Sequence, residues 1–196
     1  MKQEKFILFG NGSHYSIAVL NNLLERGIVP VAVVVPEYPP ATISKPAVLK
    51  VDAELVANQF IEMVDHLSIP VIYAPRKLKS SLAEKLAPFE ADYLLVACWP
   101  YLLPPETVGV AAKAALNLHP SLLPEYRGAS PVFEQLNSKE TRLGVTLHLL
   151  SQEYDCGEIV AQAGFRLESG STSCEQIEVQ AALVGTGLLA DLMQSA

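Results

Sequence analysis

The chain has 196 residues, half of them hydrophobic and 18% charged, which suits one domain with a sizeable core, or a large domain with a short tail, and a globular rather than a disordered chain. A formal net charge of −7 disfavours a general nucleic-acid surface, which needs clustered Lys and Arg against phosphates. Three widely spaced cysteines, Cys98, Cys156 and Cys174, fit neither a disulfide framework nor a zinc knuckle and point to a reducing compartment.

Strand and helix patterns alternate along the chain. Phe6–Phe9 reads as a short buried strand. A helix follows from about Tyr15 to Arg26, with Ile17, Leu20, Leu23 and Leu24 on one stripe. Val31–Val35 is a β-branched run, as in strands covered on both faces. The proline-rich segment Pro36–Pro46 reads as a long loop at the carboxyl end of that strand. Asp52–His66 patterns as a helix, Val71–Tyr73 as a strand, and Ser80–Leu86 as a helix with a serine to cap it. Tyr93–Ala97 and Ala115–Leu118 are two more strands, and Pro131–Leu136 opens a helix with proline in its first turn. Val145–Leu149 and Ile159–Ala163 have no helix between them, so they should pair as a hairpin or ribbon. Thr172–Gln194 closes the sequence as a long helix, with Ser/Thr candidates for its cap and Gly185 and Gly187 as interior weak points. The expected fold is α/β: a single Rossmann-like open sheet, mostly parallel, with helices on both faces. No apolar run reaches membrane-spanning length, and the N-terminal residues lack a signal peptide's apolar stretch, so the expected location is cytoplasmic, with no membrane partner.

The densest chemistry lies in Asn117-Leu118-His119-Pro120-Ser121-Leu122-Leu123-Pro124-Glu125-Tyr126-Arg127-Gly128. On a strand, side chains at i and i+2 share a face, so Asn117 and His119 should enter one site while Leu118 enters the core. Pro120 should end the strand. Open α/β sheets bind ligands at the carboxyl ends of their strands. An amide donor beside an imidazole can polarise a carbonyl and manage a proton. Ser121 lacks the surroundings of a nucleophile elbow.

Gly10-Asn11-Gly12-Ser13 forms a turn between the first strand and first helix. Tyr15 stands where a dinucleotide fingerprint needs glycine, and no P-loop Lys follows. Two readings stand: a site for a substrate phosphate or carboxylate, or a plain tight turn. Asp155, two residues before Gly157, sits where a tight loop would present a carboxylate; an Asx turn is its alternative. His148 shares a strand face with Thr146 and by itself reads as a structural histidine. His14 and His66 read as surface or helix-end residues.

Together, Asn117-x-His119-Pro120-Ser121-Leu122-Leu123-Pro124-x-Tyr126-Arg127-Gly128, then Gly144-Val145-Thr146-x-His148 and Tyr154-Asp155-x-Gly157-x-Ile159, resemble the two signatures of the formyltransferase domain that uses 10-formyltetrahydrofolate. The resemblance spans nearly the whole chain. It implies a catalytic trio of Asn117, His119 and Asp155. It implies a pteridine held by the loop carrying Cys98, Trp99, Tyr101, Leu102 and Leu103, and by Gln152, Glu153 and Tyr154. It implies an acceptor touching Gly10, Asn11, Gly12, Ser13 and Arg127. The chemistry implied is attack of an amine on the formyl carbon. Asn117 and protonated His119 would donate to the oxyanion, and Asp155 would favour that protonation. The cosubstrate is 10-formyltetrahydrofolate, and no metal is required. Arg127-Gly128-Ala129-Ser130-Pro131 is similar to methionyl-tRNA formyltransferases, which carry a further C-terminal β-barrel domain that is not expected here; residues 1–196 are expected to form the catalytic domain alone. Acidity disfavours tRNA and favours a small amine, such as an aminosugar nucleotide or glycinamide ribonucleotide. The competing readings are a formyl-folate hydrolase and a non-catalytic folate-binding module.

Overall fold

The computed structural model describes residues 4–37, 53–77, 80–167 and 173–195. One sheet of seven strands organises them: β1 (Phe6–Gly10), β2 (Ala32–Pro36), β3 (Val71–Ala74), β4 (Tyr93–Ala97), β5 (Ala114–His119), β6 (Leu143–Leu149) and β7 (Ile159–Phe165). The order is β3-β2-β1-β4-β5-β6-β7. The pairs from β3 to β5 are parallel, and β6 and β7 add antiparallel, the second pairing being the expected ribbon. The expected sheet and its mostly parallel character are therefore present.

The helices are α1 (His14–Glu25), α2 (Ala53–His66), α3 (Ser80–Leu86), α4 (Pro105–Val108), α5 (Pro131–Asn137) and α6 (Cys174–Ser195). Strand alternation divides the core in two. Phe6 and Leu8 of β1 face α1, α2 and α6, in one cluster with Leu20, Phe60 and Leu189. Ile7 and Phe9 face the other way, onto Leu82 and Leu86 of α3. The α1 stripe is rotated from the expected one. Tyr15, Ser16, Val19, Leu20 and Leu23 are buried, whereas Ile17 and Leu24 pack only at the margin. Ser13 caps the helix, which starts at His14. The short helix α4 was not foreseen; its four residues are too few for a periodic signal.

The cap of α6 is Ser173. Its hydroxyl accepts from the Gln176 N–H, and the Gln176 side chain accepts from the Ser173 N–H, a reciprocal capping box. Of the two glycines in α6, Gly185 lies where a Cβ would come within 2.7 Å of Leu118 and 3.0 Å of Val145, so it permits close helix–sheet approach. Most of the proline-rich segment expected at 36–46, and the expected helix starts at Asp52 and Thr172, lie outside the described residues. Among the described residues no helix is long and apolar enough to cross a membrane.

Candidate active site

Sheet order reverses between β1 and β4, and the crevice beyond their carboxyl ends is the place open α/β sheets offer a ligand. Gly10 pairs in register with Ala97, which brings the first turn beside the loop after β4. The Ser16 hydroxyl joins the two by donating to the Ala97 carbonyl at 2.7 Å. Next to this crevice, β5 ends at His119 as Pro120 predicts, with Leu118 buried in the core below.

The antiparallel register of β5 and β6 sets Asn117 opposite His148 and His119 opposite Thr146. The loop after β6 then folds Asp155 back over both strands. Gly157 makes this fold possible, since a Cβ there would lie 1.7 Å from the Leu149 carbonyl oxygen. Asp155 itself has φ 54°, in the left-handed region that Asp tolerates better than most residues.

The Oδ1 of Asp155 becomes a hub. It accepts from Asn117 Nδ2 at 3.1 Å and lies 3.5 Å from His119 Nδ1 and 3.6 Å from His148 Nε2. Its other oxygen accepts from the Gly128 N–H at 2.8 Å. Burial works to raise the Asp155 carboxyl, but positive charge on the neighbouring His119 imidazole and the Gly128 N–H outweigh it, and its pKa lies below the ordinary value.

Carbonyl partners fix both tautomers, because a carbonyl can only accept. His119 Nε2 donates to the Tyr126 carbonyl at 2.8 Å, leaving Nδ1 to face Asp155. His148 Nδ1 donates to the Leu149 carbonyl at 2.8 Å, so Nε2 accepts from Asn117 Nδ2 at 3.0 Å. Both N–H groups of Asn117 are thereby engaged. Burial, first, holds His119 below the ordinary imidazole value, against the opposing pull of Asp155. Asp155 favours the protonated ring, as expected, but removal from water outweighs that one carboxylate.

The loop after β5 is held by buried polar groups. Thr146 Oγ1 accepts from the Leu123 N–H and donates to the Ser121 carbonyl at 2.7 Å. Gln162 reaches Thr146 and the Leu123 carbonyl, and Gln135 reaches the Pro120 carbonyl. Ser121 donates to the Glu125 carbonyl and is fully buried, a structural hydroxyl rather than a nucleophile.

A cavity of about 760 Å³ opens onto this hub. Asn117, His119 and Asp155 line it, as do Cys98, Trp99, Tyr101, Leu102, Leu103, Glu153, Tyr154 and Asn11 of the expected contacts. Gln152, Gly10, Gly12, Ser13 and Arg127 are outside its lining. The Ser13 N–H donates to Asn11 Oδ1 and the Asn11 N–H to the Ser16 hydroxyl, so two donors of the glycine turn are already engaged within the chain. Trp99 stands edge-on between Phe9 and Tyr101, with ring centroids 5.2 and 5.9 Å away. Its Nε1–H is buried without a partner. His148, which by itself reads as a structural histidine in the sequence, lines the site; His14 and His66 are exposed at helix ends, as expected. The three cysteines are free. Among the described residues no group of three or more His, Cys, Asp or Glu is arranged to hold a metal ion.

Comparison with known proteins meets this geometry from a second direction. The model of a family described as formyl transferase matches residues 4–189. The chain belongs to the formyl transferase family. Curated relatives include methionyl-tRNA formyltransferases. That of Listeria monocytogenes is 34% identical over 160 residues, covering 80% of this chain and 47% of the relative. That of Helicobacter acinonychis is 34% identical over 131 residues, covering 67% and 42%. The chain thus spans less than half the length of the curated relatives it matches. The solved phosphoribosylglycinamide formyltransferase of Streptococcus pneumoniae superposes with a TM-score of 0.71 at 17% identity, covering 98% of each chain. A formyltetrahydrofolate deformylase of Pseudomonas syringae gives 0.71 at 18% identity, covering 99% of this chain and 62% of that one. At such identities the likeness speaks for the fold.

Proposed function

We propose that the chain transfers a formyl group from 10-formyltetrahydrofolate to the primary amine of a small acceptor. The observation that carries this reading is the convergence of Asn117, His119 and His148 on Asp155 Oδ1 at the floor of a partly apolar cavity. The loop Cys98–Leu103 and the Glu153–Tyr154 segment hold the flat pteridine, with Trp99 Nε1–H as a free donor toward it.

The amine nitrogen attacks the formyl carbon, and the carbonyl electrons move to oxygen. His119, neutral in the resting site, takes the amine proton at Nδ1, directly or through a water. Asp155 stabilises the imidazolium that results. As Asp155 turns to that charge, its hydrogen bond from Asn117 weakens, and the freed N–H serves the oxyanion. Collapse breaks the bond from carbon to N10 of the folate, and the imidazolium returns the proton to N10. Formyl moves one way and a proton the other, and no covalent enzyme intermediate is required.

A second reading, in which water replaces the amine, is favoured by the fold likeness to the deformylase. A tRNA acceptor is weighed down by the net charge of −7. Release of tetrahydrofolate, measured with and without a panel of aminosugars, glycinamide ribonucleotide and methionyl-tRNA, separates these. Amine-dependent release with a stoichiometric formamide product is expected. Release indifferent to every amine would establish hydrolysis instead.

A further inference from the structure

One end of the cavity has no part in the chemistry described above. Asn11, Tyr15 of α1, and Cys174 and Glu178 of α6 line it, beside Cys98 at the start of the pteridine loop. Tyr15 is 2% exposed, and its Oη is buried without a hydrogen-bond partner. Such a phenol in a native structure wants a partner that the protein does not supply. The Glu178 carboxylate and the Cys98 thiol lie near enough to act electrostatically on that phenol. The Cys98 thiol in turn meets the side chains of Ser13 and Asn11 of the first turn and lies within electrostatic reach of Glu178.

Charge sharpens the picture. Among the described residues lining the cavity there is no Lys or Arg, while Glu153, Asp155 and Glu178 are present. A phosphate at this end would meet a carboxylate and no cation among the described lining residues, beside a glycine turn whose Asn11 and Ser13 N–H groups are already taken.

We propose that Tyr15 and Glu178 form the acceptor subsite, recognising a neutral hydroxyl group on the amine substrate, as on an uncharged aminosugar, and rejecting a phosphate at that end. This rests on the formyl-transfer reading for the word acceptor, not for the binding chemistry. A hydroxyl accepts from the Tyr15 Oη–H and donates to the Glu178 carboxylate through one atom, satisfying both. Burial, with Glu175 next, raises the Glu178 carboxyl to about 7, consistent with a group that lacks a compensating cation.

The test is calorimetric titration of the wild-type protein, Tyr15→Phe and Glu178→Gln with glucosamine and with glucosamine 6-phosphate at pH 8. Wild type should bind glucosamine at least tenfold tighter than its phosphate. Each variant should bind glucosamine about tenfold more weakly, the loss of one hydrogen bond in a buried site. Glu178→Gln should also narrow the gap between the two sugars. Equal or tighter binding of the phosphate, variants indistinguishable from wild type, or no saturable binding of glucosamine would each overturn the proposal. Tetrahydrofolate release with the amine panel reports on formyl transfer separately, so the two readings fail independently.

Discussion

Asn117 and Asp155 are 38 residues apart in the chain, and one N–H of the first donates to one oxygen of the second at 3.1 Å. That bond ties the end of β5 to the loop after β6 and fixes the amide's orientation, because the reversed amide would set oxygen against carboxylate. Asp155→Asn removes the charge while keeping the shape. Two outcomes are expected: kcat falls about a thousandfold, and folate affinity changes little, since the carboxylate acts on developing charge. Stopped-flow turnover beside equilibrium folate binding checks both, and a loss confined to binding would refute the role.

The pH dependence follows from the depressed imidazole. His119 must be neutral to accept a proton, and burial holds its pKa below the ordinary 6.5. The acid limb of kcat/KM should therefore lie below that value. Stability carries the same sign. A group whose folded pKa is depressed contributes stability above its unfolded value, and this is lost as pH falls below 6.5 toward the folded value. Folate turnover and thermal melts measured across pH 4.5–8 in about half-unit steps test both limbs. An acid limb above the ordinary histidine value would show that Asp155 wins over burial.

Much of this site could be read from residue order. Asn117 and His119 at i and i+2, with Pro120 as a stop, placed two functional groups on one face before any tertiary information. His148 could not be placed that way. Its role depends on the β5–β6 register, which sets it against Asn117, and a register is fixed by long-range pairing rather than by local pattern. The net direction of the His119 shift is out of reach of the sequence for a related reason. Spacing reveals a neighbouring carboxylate but not how far both groups are removed from water. The expected stripe of Ile17, Leu20, Leu23 and Leu24 shares Leu20 and Leu23 with the buried face but not Tyr15, whose burial depends on packing that helix periodicity alone does not fix.

Thr146 offers a test of the loop that carries the Tyr126 carbonyl. Its hydroxyl accepts from Leu123 and Gln162 and donates to Ser121 in a fully buried position. Thr146→Val keeps the shape and leaves these groups unpaired. The expected cost is about 2–3 kcal/mol, or about 5–10 °C in Tm for a chain of this size. Chemical denaturation with an unchanged m-value would confirm a native-state effect. A neutral result would mean that water or a shifted loop replaces the network.

Two glycines on one helix should respond oppositely to alanine. At Gly187 a Cβ would meet only the tip of Arg26, at 3.7 Å. Gly187→Ala should stabilise by about 0.5–1 kcal/mol through helix propensity. At Gly185 the same Cβ collides with Leu118, itself buried beneath the active-site strand. Overpacking of about 1–3 kcal/mol there should cancel or exceed the propensity gain. Parallel urea melts of the two variants decide this; equal stabilisation would show that Leu118 has room to move.

Glu178 makes a prediction about the empty protein that is separate from ligand recognition. Its folded pKa is raised from 4.5 to about 7, so the native state prefers the neutral carboxyl. The sign is the reverse of the His119 case on pH: stability is greatest below 4.5, declines as pH rises between the two values, and stays low above the folded one. Glu178→Gln removes a charge that burial disfavours. It should raise stability at pH 8 by on the order of 2 kcal/mol, after allowance for the part of the side chain that meets solvent, and do little at pH 4.5. Thermal melts at the two pH values give the comparison. A stabilised variant that binds the acceptor less well would locate in one carboxylate the common opposition between stability and function. A variant less stable at pH 8 would mean that Glu178 already has a favourable partner in the folded chain.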